Sequence, residues 1–270
     1  MAWLSLMLCC FAPAADPAPN QPGADAARAV PNMETAEYPV EGVGRSTHVF
    51  LLPRGPRTVR SLEVAPTEAT AEAWRGARIR LTWDDDDPDP KRAGVDLPLG
   101  LAFGQAKGRP PVASTVVSAA GNRWVVRFPM PYHNLALLRI DADAPICGTI
   151  RLRTEPGVER DSGYFRAADF APGSDQSRES ARGRLAGLFV AGDASTLTVS
   201  LDGGPSRRVA EVLGPTTDRR GPYRWFAADP IRFGRSFAFD DPEASAGRSS
   251  GASALLFWYS ERPAPGRIGR

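Results

Sequence analysis

Two prolines bracket Met130 in Phe128-Pro129-Met130-Pro131-Tyr132, and they limit what the surrounding chain can become. Upstream, Trp124, Val126 and Phe128 alternate with Val125 and Arg127, the period of two that marks a half-buried strand. Proline has no N–H to give to a ladder, so that strand must end at Pro129. Leu135, Leu137 and Arg139 then open a second strand. A strand, a rigid Pro-Met-Pro corner and a return strand describe one edge of a large antiparallel fold.

The same period recurs along the chain. His48–Leu52, Val59–Val64, Arg78–Trp83, Ser114–Val117, Leu135–Asp141, Thr149–Arg153 and Tyr164–Phe170 read as strands. So do Leu185–Val190, Thr196–Leu201, Tyr223–Phe226, Ser236–Phe239 and Ala252–Tyr259. The 26 Gly and 26 Pro supply the turns that so many short strands need. Thr67–Arg75 carries the one strong helix signal, with Thr67 placed to cap it. Ser174–Gly183 is polar and reads as a loop, and Asp202-Gly203-Gly204-Pro205 as a turn. The fold class is all-β with little helix, a sandwich or jelly-roll architecture. No periodic repeat is visible in the sequence.

The N-terminal Ala2-Trp3-Leu4-Ser5-Leu6-Met7-Leu8-Cys9-Cys10-Phe11 run is too short to span a bilayer, and Ala12-Pro13-Ala14 follows as an A-x-A cleavage pattern. Residues 1–15 read as a secretory signal peptide, which places the chain outside the cell or in the envelope. Cys9 resembles a lipoprotein signal, but Leu8 stands where a small residue belongs, so an anchor is the weaker reading. Residues 16–41 are Ala-, Pro- and Asp-rich and read as a disordered linker, with order beginning near Gly42. The folded part divides into halves at 42–155 and 156–265. After cleavage Cys147 is the sole cysteine and reads as a small buried hydrophobe.

A net charge of +2 gives no reason to invoke nucleic acid or an anionic membrane. No later stretch is long and apolar enough to cross a bilayer. His48 and His133 are the only histidines, so a three-histidine zinc site is excluded by count. There is no Walker A loop and no G-x-G-x-x-G, and no cofactor is expected. The acidic run Asp84–Asp89 lacks the glycine of an EF-hand loop and is broken by Pro88, so it reads as a solvated turn and no metal is expected. Carboxylates remain, and glycoside hydrolysis uses two of them across the scissile bond.

Five stretches resemble glycoside hydrolase family 172, first catalogued as a domain of unknown function. They are Gly42-x-Gly44 with His48-Val49-Phe50; Leu81-Thr82-Trp83-Asp84 with Pro98-Leu99-Gly100-Leu101-Ala102-Phe103-Gly104; and Phe128-Pro129-Met130-Pro131-Tyr132. Tyr223-Arg224-Trp225-Phe226 with Asp229-Pro230-Ile231-Arg232-Phe233, and Trp258-Tyr259, complete the set. The resemblance implies a double β-jelly-roll made of two packed sandwich halves, a homo-trimer or a multiple of one, and action on furanosides such as fructofuranose or arabinofuranose linkages. It carries over His48, Trp83, Asp84, Asp193 and Arg224 as substrate-binding residues. Both catalytic glutamates of that family lie in segments where this chain departs. Ala191 stands in the place of the first, and Glu211 is the only carboxylate near the second. Leu101 replaces an aspartate and Phe226 a histidine of the motifs.

The resemblance therefore implies a secreted carbohydrate-associated protein with a degenerate catalytic site. The alternatives are an active furanosidase, in which Glu211 would be catalytic, and a structural β-sandwich that serves interaction alone. If residues 1–15 are a signal peptide, N-terminal sequencing of exported protein will begin near Ala15 or Asp16.

Overall fold

The computed structural model describes residues 32–84, 93–105, 111, 114–159, 163–170, 178–179, 181–191, 197–213, 223–226, 230–240, 242 and 253–261. The expected signal peptide, most of the linker, the acidic residues after Asp84, and Asp193 lie outside the described residues. In chain order the strands are β1 (Glu34–Gly42), β2 (Ser46–Leu51), β3 (Arg57–Pro66), β4 (Arg78–Trp83), β5 (Val95–Pro98), β6 (Val117–Ala120), β7 (Arg123–Val126), β8 (Met130–Tyr132), β9 (Ala136–Ala142) and β10 (Ile146–Pro156). They continue with β11 (Tyr164–Phe170), β12 (Arg178–Glu179), β13 (Gly183–Ala191), β14 (Thr198–Leu201), β15 (Arg207–Arg208), β16 (Tyr223–Trp225), β17 (Ile231–Phe233), β18 (Phe237–Asp240) and β19 (Ser253–Ser260). Three short helices are α1 (Ala71–Gly76), α2 (Leu99–Ala102) and α3 (Val209–Leu213).

The ladders make one topology twice. In the first half, one sheet runs β1-β10-β3-β7 and the other β2-β9-β4-β5. With β6 and β8, which extend the first of these sheets, set aside, the eight remaining strands numbered in chain order fall as first, eighth, third, sixth and second, seventh, fourth, fifth, the order of an eight-stranded jelly roll. The second half repeats it as β11-β19-β13-β16 and β12-β18-β14-β15. The two rolls join where β5 pairs in parallel with β11 through Val95–Ala167 and Asp96–Ala168. One nine-stranded sheet therefore serves both rolls, and the fold is an all-β double jelly roll.

That shared sheet explains why β19 is apolar without alternation. Leu255, Phe257 and Tyr259 enter the first core, while Leu256 and Trp258 enter the second. A strand buried on both faces has no polar face to show. The first core also takes Ile79, Leu81 and Trp83 from β4 and Val59, Leu62 and Val64 from β3. Its aromatic centre is Phe128, whose ring lies 4.9 Å from Phe165, 5.2 Å from Phe257 and 5.3 Å from Trp225. The second core is built from β13, β14, β18 and Phe233.

Three expectations need correction. Ordered structure starts at β1 rather than near Gly42: Ala36, Tyr38 and Val40 alternate, and all nine residues pair with β10. Pro39 is tolerated because β1 is an edge strand. The Pro-Met-Pro corner does not return the chain along one edge. Met130, Pro131 and Tyr132 pair again with β3, and the next strand, β9, belongs to the other sheet. The corner thus moves the chain across the sandwich. The expected helix appears as α1 behind a short 3-10 turn, but the Thr67 hydroxyl meets the Thr70 hydroxyl at 2.8 Å instead of capping backbone. No described helix is long and apolar enough to cross a membrane.

Truncating the ring that joins the two rolls removes a large contact area and leaves a cavity. Phe128→Ala should lower unfolding stability by about 3–5 kcal/mol, read as a drop in the urea midpoint. Phe128→Leu should cost distinctly less.

Candidate functional site

β4 ends on Trp83 and Asp84, and both are committed to the fold. The Trp83 ring is 1% exposed, its Nε1–H donates to the Phe165 carbonyl at 2.7 Å, and it stacks on Tyr132 at 6.3 Å. Asp84 adopts a left-handed backbone (φ 57°), which turns its carboxylate back onto the corner that follows β8. There Oδ1 accepts the N–H groups of His133, Asn134 and Leu135 at 3.0, 2.5 and 3.1 Å. Oδ2 accepts the Tyr164 hydroxyl at 2.8 Å. A carboxylate that accepts from three amides and a phenol is an anchor for a turn, with little capacity left for a ligand. Burial, and then the bond to Asp84, push the Tyr164 phenol above its usual range. Burial pushes the Tyr132 hydroxyl, which donates to the Pro53 carbonyl at 2.6 Å, up to about 12.

His48 lies apart from that corner. It pairs with Ile140 in the β2–β9 ladder, four residues along β4 from Trp83. It faces the other sheet: its Nε2 is 3.2 Å from the Ser46 hydroxyl, and its ring stacks on Phe50 at 6.4 Å. A Cβ on Gly42 would sit 3.1 Å from that nitrogen and closer still to the Ser46 hydroxyl, so the glycine is what lets β1 approach. The Gly-x-Gly and histidine motif is, on this geometry, a packing device. Glu211 is exposed on α3, which packs on β14 and β15 in the second roll, on a different sheet from Trp83, Asp84 and His48. Arg224 pairs through its backbone with Leu188. The structure brings together Trp83 and Asp84 alone among the sequence-predicted site residues it describes.

A different constellation occupies the outer face of the first roll. β4 presents Arg78 and Arg80, and β9 presents Arg139 and Asp141 beside them in register. Asp141 binds Arg80, accepts from Arg139 Nε at 3.0 Å and from the Thr47 hydroxyl at 2.7 Å. Asp96 of β5 binds Arg78 and accepts from Arg80 Nε at 3.1 Å, and Asp169 of β11 meets Arg78 at 3.3 Å. Thr47, Arg78, Arg80, Arg139 and Asp141 line a cleft of about 520 Å³, together with Arg45 and Asp143. Partial burial alone would raise the Asp141 carboxyl, but bonds from Arg139 and Thr47 and the charge of Arg80 outweigh it and hold it below its ordinary 3.8. These carboxylates are hydrogen-bonded partners suited to orienting guanidinium groups that point at a polar ligand. Sequence reading missed them, although the signal was present: Arg78-x-Arg80 and Arg139-x-Asp141 alternate with the apolar residues of their strands. No group of three or more described His, Cys, Asp or Glu is placed to hold a metal ion.

Residues 32–144 match the family model described as GH172 domain-like. The match covers less than half of the chain. It runs from the start of β1 past the end of β9, and it holds Trp83, Asp84, His48 and nearly all of the charged cleft. The family is glycoside-hydrolase-like and carbohydrate-related. No characterised protein matches the chain over its sequence. Among solved structures, the major capsid protein P2 from bacteriophage PM2 is similar at a TM-score of 0.49 and 10% identity, over 88% of this chain and 100% of that one. The STIV MCP is similar at 0.42 and 8%, over 86% and 97%.

Two measurements test the anchor and its neighbours. Asp84→Asn keeps the turn geometry but presents an amide N–H₂ to backbone donors, so stability should fall by about 1–3 kcal/mol in urea denaturation. The pH profile should be limited on both sides. Asp141, depressed, stabilises fully above pH 3.8 and loses that contribution as pH falls through its lower folded value. Tyr132 and Tyr164, raised, leave stability intact below pH 10 and withdraw it as pH climbs above that, toward about 12 for Tyr132 and further for Tyr164. Thermal midpoints across that range should therefore be flat in the middle and fall at both ends, with Asp141→Asn flattening the acid side.

Proposed function

We propose that this chain is an exported, carbohydrate-associated protein that binds furanose-containing glycans and hydrolyses them poorly or not at all. The carrying observation is the state of the carboxylates in the GH172-like domain. Asp84 is saturated by four donors. Asp96 and Asp141 are tied to arginines. Hydrolysis needs one carboxyl held protonated to act as an acid and a second to attack or to activate water. The described carboxylates that depart from their ordinary pKa, Glu34, Asp141 and Asp202, all depart downward, the wrong direction for an acid. Ala191 stands where the resemblance puts one catalytic glutamate, and Glu211, where it puts the other, is exposed on α3, which packs against a separate sheet.

Binding is the function these groups retain. The cleft over β2, β9 and β4 has the volume of a ligand site. It offers guanidinium donors, a carboxylate acceptor and the Thr47 hydroxyl, a set that matches a surface of sugar hydroxyls. The aspartates fix the arginine forks, so less side-chain entropy is lost on binding.

Turnover of aryl arabinofuranosides and fructofuranosides should stay at the buffer rate, and Glu211→Gln should change nothing. Calorimetry should detect binding of furanose oligosaccharides, lost in Arg80→Gln. Turnover well above buffer that Glu211→Gln abolishes would make the chain an active furanosidase.

A further inference from the structure

The outermost strand of a sheet presents a row of backbone groups with no ladder partner, and proteins guard such edges with proline, charge or shortness. β1 carries Pro39 and the carboxylates of Glu34, Glu37 and Glu41. β6 has four residues, β16 three, and β12 and β15 two each. Among the described strands that end a sheet, β2 is the one without a guard. Its six residues, Ser46-Thr47-His48-Val49-Phe50-Leu51, include no proline, carboxylate, lysine or arginine.

The ladder fixes which groups of β2 face outward. The Leu52 N–H donates to the Ala136 carbonyl at 3.0 Å, which makes Leu52 and Ala136 a hydrogen-bonded pair. Such pairs recur at every second residue, so Phe50, His48 and Ser46 turn their amides and carbonyls toward β9. Thr47, Val49 and Leu51 turn theirs away from it. Among the described residues only the Tyr38 hydroxyl reaches these groups, at 3.3 Å from the Leu51 carbonyl, and a carbonyl can accept a second donor. The side chains of the same three residues stand on the outer face, where Val49 is 50% and Leu51 60% exposed. Open amides beside bare apolar side chains form a template for one more strand.

The strand is complementary to itself. When a second β2 lies antiparallel about Val49, Val49 faces its own counterpart, Thr47 faces Leu51 and His48 faces Phe50. The outward-turned residues then make the hydrogen-bonded pairs, each exchanging two backbone bonds. The strand carries no formal charge, so a copy meets no like-charge repulsion, and the opposed side chains include one β-branched and one aromatic pair. We infer that β2 is a self-association seam, through which two copies of this chain join their nine-stranded sheets about a twofold axis at Val49. A seam of six residues lies at the small end of protein interfaces, so the assembly depends on concentration. The inference does not draw on the carbohydrate-binding reading.

Sedimentation of the full chain over a concentration series tests it. The mass should rise to an even multiple of the chain. Val49→Lys and Val49→Glu should each weaken that association about tenfold or more, since the twofold axis sets two like charges face to face. An equimolar mixture of the two variants should restore it, because residue 49 meets residue 49. Val43→Lys, at an exposed site outside the seam, should change nothing. In unmodified protein, hydrogen exchange at the Val49 amide should slow as concentration rises, a reading that needs no variant to fold. A monomer at the highest soluble concentration overturns the inference and leaves the edge to an extended peptide of another protein. Assembly that survives both charged variants, or that the mixture fails to restore, overturns it as well.

Discussion

The structure depends on one strand having no polar face. β19 sits between β11 and β13 in the shared sheet and delivers Leu255, Phe257 and Tyr259 to one core and Leu256 and Trp258 to the other. At roughly 1.5–3 kcal/mol for each large apolar side chain buried, such a strand contributes to two cores at once. Its neighbours are set by it. Phe165 and Phe128 close on one side, and Phe237 meets Trp258 edge-on at 5.4 Å on the other. The two rolls are thus halves of one packing problem.

Much of this was legible in the sequence. Arg78–Trp83 and Tyr164–Phe170 begin and end where period-two alternation places them. The apolar run near the C-terminus marked a strand, although its lack of alternation did not show that it lies between two cores. What escaped notice was short or composed against type. β1 follows an Ala- and Pro-rich stretch and contains Pro39, so composition spoke against its alternation. β8 contains Pro131 and is three residues long. The duplicated topology left no trace as a sequence repeat, because a jelly roll requires strand order and burial pattern rather than particular residues.

The site was less legible than the fold, for a physical reason. Residues recur in a family motif when either chemistry or packing demands them, and sequence alone does not separate the two. Trp83 and His48 are here for packing. Asp84 holds a corner. Arg78, Arg80, Arg139 and Asp141 belong to no motif, and become a group only when β4 and β9 pair in register.

The junction between the rolls has a consequence for synthesis on the ribosome. Every ladder within the first roll is made from residues 34–156, so its backbone pairing is complete as soon as β10 has emerged. Its core is not. Phe165, Phe189, Leu255, Phe257 and Tyr259 all belong to it, and β19 is the last of the described strands to leave the tunnel. Until then the first roll is hydrogen-bonded but bare on its aromatic side, with Phe128 lacking its cover, and transient apolar surface of that kind aggregates or recruits a chaperone. A chain of this design commits its topology early and its solubility late.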